Sequence, residues 1–281
     1  MAGPDDLSSA QRELLATWLP GLRVVVDHSW GLVGTTVLEV THGGEQYVVK
    51  AGDARDHHIG RELRAHREWL RPWTRIGRAP LLAFGDDKAK LVVTVFLPGE
   101  LVLGSPAQDD PSTFAQAGEL LRLLHDQAGE PDDDFERDAD AKTLRCLDGP
   151  HRIAPEVEQR VRAAVTAWPT SEVRLVPTHG DWQPRNWLVH ERVVSVIDFG
   201  RADLRPAMND LSRLVSRDFS RDRALEAAFV EGYGGDPRSP GLWQRQQLRE
   251  AVGTATWAFA VGDAGFEAEG HAMIADALAA L

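Results

Sequence analysis

Apolar positions along this chain follow two rhythms, and the change between them divides it. In the first third they form short β-rich runs. Leu22–Val26, Val37–Val40, Gln46–Lys50 and Leu91–Leu97 read as strands, the last stopping at Pro98-Gly99. One helical stretch interrupts them, Arg61–Leu70, with Leu63, His66 and Leu70 on one face and Glu62, Ala65 and Trp69 on the next. Beyond Pro98 the spacing is mostly helical. Asp110-Pro111-Ser112 is a cap followed by proline, and a stripe of Phe114, Ala117, Leu121 and Leu124 runs on to His125. Ala154–Trp168 follows, with Val157, Val161, Val165 and Trp168 inward. Asp210–Val215, Ala224–Tyr233 and Leu242–Leu281 carry further helical spacing. A β island lies inside this part. Val173–Val176 ends at Pro177, and Trp187–Val189 and Val193–Ile197 flank the charged turn His190-Glu191-Arg192 as a hairpin. The acidic run Glu130–Asp140 reads as a solvated loop.

The hairpin gives meaning to three polar residues. Asp181 lies in the loop before it, Asn186 leads into its first strand, and Asp198 ends its second. Each alone is an ordinary turn former. Together they place two carboxylates and an amide in one neighbourhood. Phosphoryl transfer needs that kind of set: positioning, metal ions and charge neutralisation rather than covalent chemistry.

The stretch His179-Gly180-Asp181-Trp182-Gln183-Pro184-Arg185-Asn186, with Asp198-Phe199-Gly200 after it, resembles the catalytic segment of the aminoglycoside phosphotransferase and choline kinase family. Gly180 stands where protein kinases carry arginine, which points to small-molecule kinases. No Ala-Pro-Glu closes an activation segment after Asp198. The resemblance implies an α+β, two-lobed protein-kinase-like fold. A small β-sheet lobe over residues 1–97 would bind nucleotide. A mostly helical lobe over 98–281, with the catalytic hairpin, would hold the acceptor. It also implies Asp181 as base or hydroxyl-orienting residue, and Asn186 and Asp198 as holders of Mg²⁺. Gln183 and Arg185 are the candidates to neutralise the moving phosphoryl group. His179 is expected to hold loop backbone, and Asp210 to brace it.

Lys50 ends an apolar strand in a chain with 27 arginines and only four lysines. A compact ammonium there suits nucleotide phosphates, and Glu62 is the expected partner. Gly31 and Gly34 allow backbone to approach a phosphate, and Thr35 adds a hydroxyl. In the resembled family Leu91–Leu97 is the hinge between lobes. Val95 and Leu97 are then candidates to meet the purine by backbone, with Thr94 at the back of the pocket. Backbone recognition leaves ATP and GTP both open as donor.

Composition sets the partners. Net charge is −12. Through Leu97 the chain has 12 acidic and 12 basic residues; from Pro98 on it has 31 and 19. Nucleic acid is not expected, and a cationic acceptor is. Asp263, Glu267 and Glu269 are candidates to meet it. The single cysteine, Cys146, allows no internal disulfide and fits a reducing cytosol. No secretory signal or membrane span is read, so the expected location is cytoplasmic. The expected activity is O-phosphorylation of an antibiotic, an aminoglycoside or a basic cyclic peptide of the capreomycin or viomycin type. Two alternatives stand: a metabolic kinase for choline, ethanolamine, homoserine or a sugar, and a ligand-sequestering protein without turnover.

Overall fold

Ser8 and Gln11 start the first helix by capping each other. The Ser8 hydroxyl accepts from the Gln11 N–H, and the Gln11 side chain accepts from the Ser8 N–H, a capping box. The computed structural model describes residues 7–29, 34–127 and 129–281. Helix α1 (Ser9–Trp18) lies on a five-stranded antiparallel sheet. Its strands are β1 (Arg23–Asp27), β2 (Thr35–His42), β3 (Glu45–Gly52), β4 (Leu82–Asp86) and β5 (Leu91–Val95), in spatial order β1-β2-β3-β5-β4. The period of two fixes the faces. Leu38, Val40, Val49, Ala51, Leu91 and Val93 pack on Leu15 of α1 and on Leu19 just after it. Val92 points the other way, onto Ile59 and Leu63 of α2 (His58–Glu68).

The short helix α3 (Arg71–Thr74) leaves this lobe's cores. Trp73 is fully buried and donates its indole N–H to the Leu120 carbonyl at 2.7 Å. Ala65, Trp69, Leu70, Trp73 and Ala79 belong to the same core as Phe114, Trp182, Trp187 and Phe199. The largest core therefore runs across the boundary expected at residue 98.

The helical part holds α4 (Pro111–His125), α5 (Phe135–Asp148), α6 (Pro155–Ala167), α7 (Ser212–Leu214), α8 (Arg223–Tyr233), α9 (Pro240–Val261) and α10 (Ala264–Ala279). Two three-stranded sheets are set into it. One is β6 (Glu100–Leu101), β9 (Trp187–His190) and β10 (Val193–Val196), ordered β10-β9-β6. The other is β7 (Glu130–Asp132), β8 (Val173–Thr178) and β11 (Asp203–Arg205), ordered β11-β8-β7. The hairpin turns through Glu191 and Arg192, both at positive φ (49° and 65°), as a two-residue turn matching strand twist requires. Helices α4 and α8 meet backbone to backbone. A Cβ on Gly118 would lie 2.2 Å from the Phe229 carbonyl, and one on Gly232 2.0 Å from that of Ala115.

Three expectations change. The acidic run is no solvated loop: it forms β7 and the start of α5. Glu136 is 1% exposed, bound by Arg249, which also holds Asp140. Its partner comes from α9, more than a hundred residues away, so local charge density misled. The long helical stretch at the C-terminus breaks at Gly262 (φ 77°) into α9 and α10. The segment after Pro206 starts as a 3₁₀ turn (Ala207–Leu211) before α7 and ends as a π-helical turn (Val215–Phe219). Among the described residues no helix is long and apolar enough to cross a membrane.

Candidate active site

The loop between β8 and β9 is held from below. Asp210 is 2% exposed and accepts from the N–H groups of His179 (2.8 Å) and Gly180 (2.6 Å). His125 Nε2 meets the same carboxylate at 3.1 Å, and His125 Nδ1 meets the Tyr233 hydroxyl at 2.9 Å. Burial works against the Asp210 charge, but His125 and the loop N–H groups outweigh it and keep the acid below its ordinary pKa. His179 Nδ1 accepts from the Asp181 N–H, so its Nε2–H donates to Ile197 at 3.1 Å. That bond ties the Asp181 loop to the end of β10. Only glycine fits at 180: φ is 77°, and a Cβ would come within 2.2 Å of the Arg201 carbonyl.

Asp181 is 3% exposed and crowded with donors. Gln183 Nε2 donates to Oδ1 at 2.5 Å. Arg185 donates to Oδ2 at 2.5 Å and the Asn186 amide at 3.1 Å. Burial raises its pKa, but Arg185 and then Arg201 hold the net value below the usual one. The Asn186 amide also donates to the Asp181 carbonyl at 2.8 Å. Its Oδ1 therefore has no hydrogen-bond donor among the described residues.

Asp198 does not end β10. It lies two residues beyond, in left-handed backbone at φ 67°. Isolated residues in this conformation cluster at functional sites. The turn sends its carboxylate to Lys50, with Nζ–Oδ1 at 3.1 Å. Lys50 also donates to both Glu62 oxygens, at 2.9 and 3.0 Å. Glu62 is 4% exposed, so the pair expected from sequence is closed and buried. Burial opposes the charge on Lys50, but Asp198 and Glu62 outweigh it and raise its pKa. Lys50 in turn pulls Asp198 down to about 2. Glu62 is pushed up by its burial, in spite of Lys50. Two contacts from α2 hold the segment after Asp198: His58 Nδ1 meets the Gly200 carbonyl at 2.9 Å, and Arg64 meets Asp203 at 2.7 Å.

The donor set suits a hard cation. Asn186 stands beside Asp181, and Asp198 follows Ile197, whose N–H donates to the Asn186 carbonyl at 3.0 Å. Among the described residues no group of three His, Cys, Asp or Glu makes a closed metal cage. A small, strongly hydrated divalent ion bound through one or two protein oxygens plus phosphates fits such a set.

At the hinge, Thr94 is 6% exposed on β5. The Val95 N–H is taken by the Leu81 carbonyl at 2.8 Å and the Phe96 N–H by Gln46 at 2.9 Å. That leaves the Val95 carbonyl as its candidate contact. The Leu97 N–H meets no acceptor among the described residues. Gly34 is packed against Asp53, and the Thr35 hydroxyl lies 3.3 Å from Asp56. Gly31 lies outside the described residues.

Other acidic candidates have structural partners. Asp263 caps α10 by accepting from Phe266. Glu267 is 6% exposed and bound bidentately by Arg152 at 3.0 and 2.5 Å. Glu269 is exposed on α10. A further residue near Asp181 is Arg213, with Nε 3.9 Å from Oδ1 and Nη2 3.7 Å from Glu250 of α9. Neither was legible: one arginine among 27 has no local signature, and Glu250 comes from a distant helix.

The fold has known relatives. Choline kinase LicA from Streptococcus pneumoniae superposes with a TM-score of 0.69 at 16% identity, over 96% of this chain and 98% of its own. Aminoglycoside phosphotransferase APH(4)-Ia with ADP and hygromycin B gives 0.66 at 12%, over 97% and 99%. Macrolide 2′-phosphotransferase MphH from Brachybacterium faecium gives 0.61 at 21%, over 96% and 98%. At these identities the likeness is one of fold, and the fold is kinase-like. No curated protein matches the sequence. The sequence model of the phosphotransferase enzyme family matches residues 35–245. This chain therefore belongs to the phosphotransferase enzyme family and is a phosphotransferase of kinase type.

Proposed function

We propose that this protein moves the γ-phosphoryl group of ATP or GTP to a hydroxyl of a cationic small molecule, and that the acceptor is an antibiotic. One observation carries the reading. The Asn186 amide meets the Asp181 carboxylate at 3.1 Å, the Asn186 carbonyl accepts from the N–H of Ile197 next to Asp198, and Lys50, held by Glu62, reaches Asp198.

In this reading the acceptor hydroxyl replaces one donor on the Asp181 carboxylate. Asp181 aims that oxygen at the γ-phosphorus and takes its proton as the new O–P bond forms and the bond to the nucleoside diphosphate breaks. The side chain released, Gln183 or Arg185, turns to the transferring phosphoryl oxygens. Lys50 holds the α- and β-phosphates. Asn186 and Asp198 would hold Mg²⁺, which supplies charge neutralisation across the phosphates. Thr94, the Val95 carbonyl and the Leu97 N–H line the purine end. The excess of 31 acidic over 19 basic residues beyond the hinge supports a cationic acceptor. Among the three acidic candidates near the C-terminus, Glu269 remains for its outlying ammonium groups.

The test is mass spectrometry of aminoglycosides, capreomycin, viomycin and choline after incubation with enzyme, Mg²⁺ and ATP or GTP, with Asp181→Asn alongside. One acceptor gaining a single phosphoryl group, lost in the variant, supports the reading. Nucleotide that binds without passing its phosphoryl group to any member of the panel moves the acceptor to a metabolite outside it.

A further inference from the structure

Arg213 has an unusual position for so strong a donor. It lies on α7, three residues after Asp210, so the residue bracing the catalytic loop also sets where this side chain starts. The side chain is 26% exposed and stands between two carboxylates, Asp181 at 3.9 Å and Glu250 at 3.7 Å. Both are ion-pair distances, beyond hydrogen-bond reach. The guanidinium thus closes no hydrogen bond among the described residues. Arg185, by contrast, is already at 2.5 Å from the same catalytic carboxylate. A planar fork of donors held by charge on both sides, yet unbonded, is organised to receive an oxygen from outside.

Resting on the phosphotransferase reading, we infer that Arg213 is a specificity-determining residue of the acceptor site, donating to a second oxygen of the acceptor beside the hydroxyl being phosphorylated, with Glu250 keeping it aimed. The acceptor class is therefore polyhydroxylated, a sugar or cyclitol ring with a neighbouring oxygen. An ammonium group next to the reacting hydroxyl has no lone pair with which to accept from Arg213 and would leave that donor unmet. The positive charges of the acceptor belong farther out. Amino alcohols such as choline and ethanolamine, with charge two carbons from the hydroxyl, are disfavoured.

The test uses the full-length enzyme with Arg213→Met, Arg213→Lys and Glu250→Gln. Acceptors are aminoglycosides, their deoxy analogues lacking the hydroxyl beside the modified one, choline and ethanolamine. Wild type should prefer the parent over its deoxy analogue by about ten- to a hundredfold in kcat/KM, the range of a charge-assisted bond. Arg213→Met should lose that preference and raise acceptor KM while donor KM stays put. Arg213→Lys should restore part of it, and Glu250→Gln should weaken it less. A variant that fails to fold would lose nucleotide binding too, and the Lys and Gln variants then carry the test. Undiminished discrimination in Arg213→Met, or choline or ethanolamine as the best acceptor, overturns the inference and leaves the phosphotransferase reading standing. Bound nucleotide with phosphate transfer to none of these acceptors overturns the inference of a polyhydroxylated acceptor, and loss of nucleotide binding itself overturns the catalytic reading beneath it.

Discussion

The proposed nucleotide and acceptor sides of the site are built differently. On the nucleotide side Lys50, Glu62 and Asp198 form a closed set, every contact between 2.9 and 3.1 Å. On the acceptor side Arg213 hangs between Asp181 and Glu250 at 3.7 to 3.9 Å with no bond closed. The nucleotide side is organised before any ligand arrives, which removes reorganisation from the reaction. The acceptor side leaves its strongest donor for the substrate to complete. A fixed donor partner and a variable acceptor partner ask for that division.

Asp181 belongs to both sides, so its loss should be the largest effect. Asp181→Asn is expected to cut kcat by about 10²- to 10⁴-fold, the usual worth of a positioned base, with nucleotide affinity retained by calorimetry. Near-normal kcat would sink the mechanism. Breaking the closed side comes next. Asp198→Ala should abolish the Mg²⁺-dependent part of nucleotide binding, and Lys50→Ala should raise donor KM by about tenfold or more while acceptor KM holds. Equal loss on both substrates would mean that the sides are not separate.

Tyr233→Phe probes the brace below both sides. It removes the hydroxyl at 2.9 Å from His125 and should cost about 1 kcal/mol of stability, read as a lowered melting midpoint. The last effect concerns pH and is small near neutrality. His66 touches Phe199 edge-on behind the nucleotide side, and burial pushes its pKa down to about 3. The folded state then binds fewer protons than the unfolded one below about pH 6.5. Stability is full above that value and falls as pH drops toward 3, by at most about 1.4 kcal/mol per unit. His66→Phe should flatten the melting midpoint between pH 6 and 5. An unchanged slope would show that His66 is accessible to protons.

How much was legible in the sequence follows chain separation. Asp181, Asn186 and Asp198 lie within one loop and one hairpin, so spacing alone brought them together. Lys50 and Glu62 join a strand to the next helix and were also within reach. Arg213 and Glu250 meet only through the packing of α7 on α9, and the grip of His58 on Gly200 spans the two lobes. Pattern reading also passed over β4 and the two- and three-residue strands β6 and β11, too short to show a period. Helix α1 was passed over as well, although Ser8 and Gln11 stand at capping-box spacing. The reading of Glu130–Asp140 failed for the opposite reason: its charges are local, but Arg249 is not.

Trp73 has a consequence for folding and for dissection of the molecule. It sits upstream of the hinge yet is fully buried beside Trp182, 5.6 Å between rings, and bonded to Leu120. A fragment cut at residue 98 would lack that indole and leave a tryptophan-sized hole in the largest core, a loss on the order of 3–5 kcal/mol. The two lobes should therefore melt in a single cooperative transition, and neither should be transplantable without the segment around Trp73.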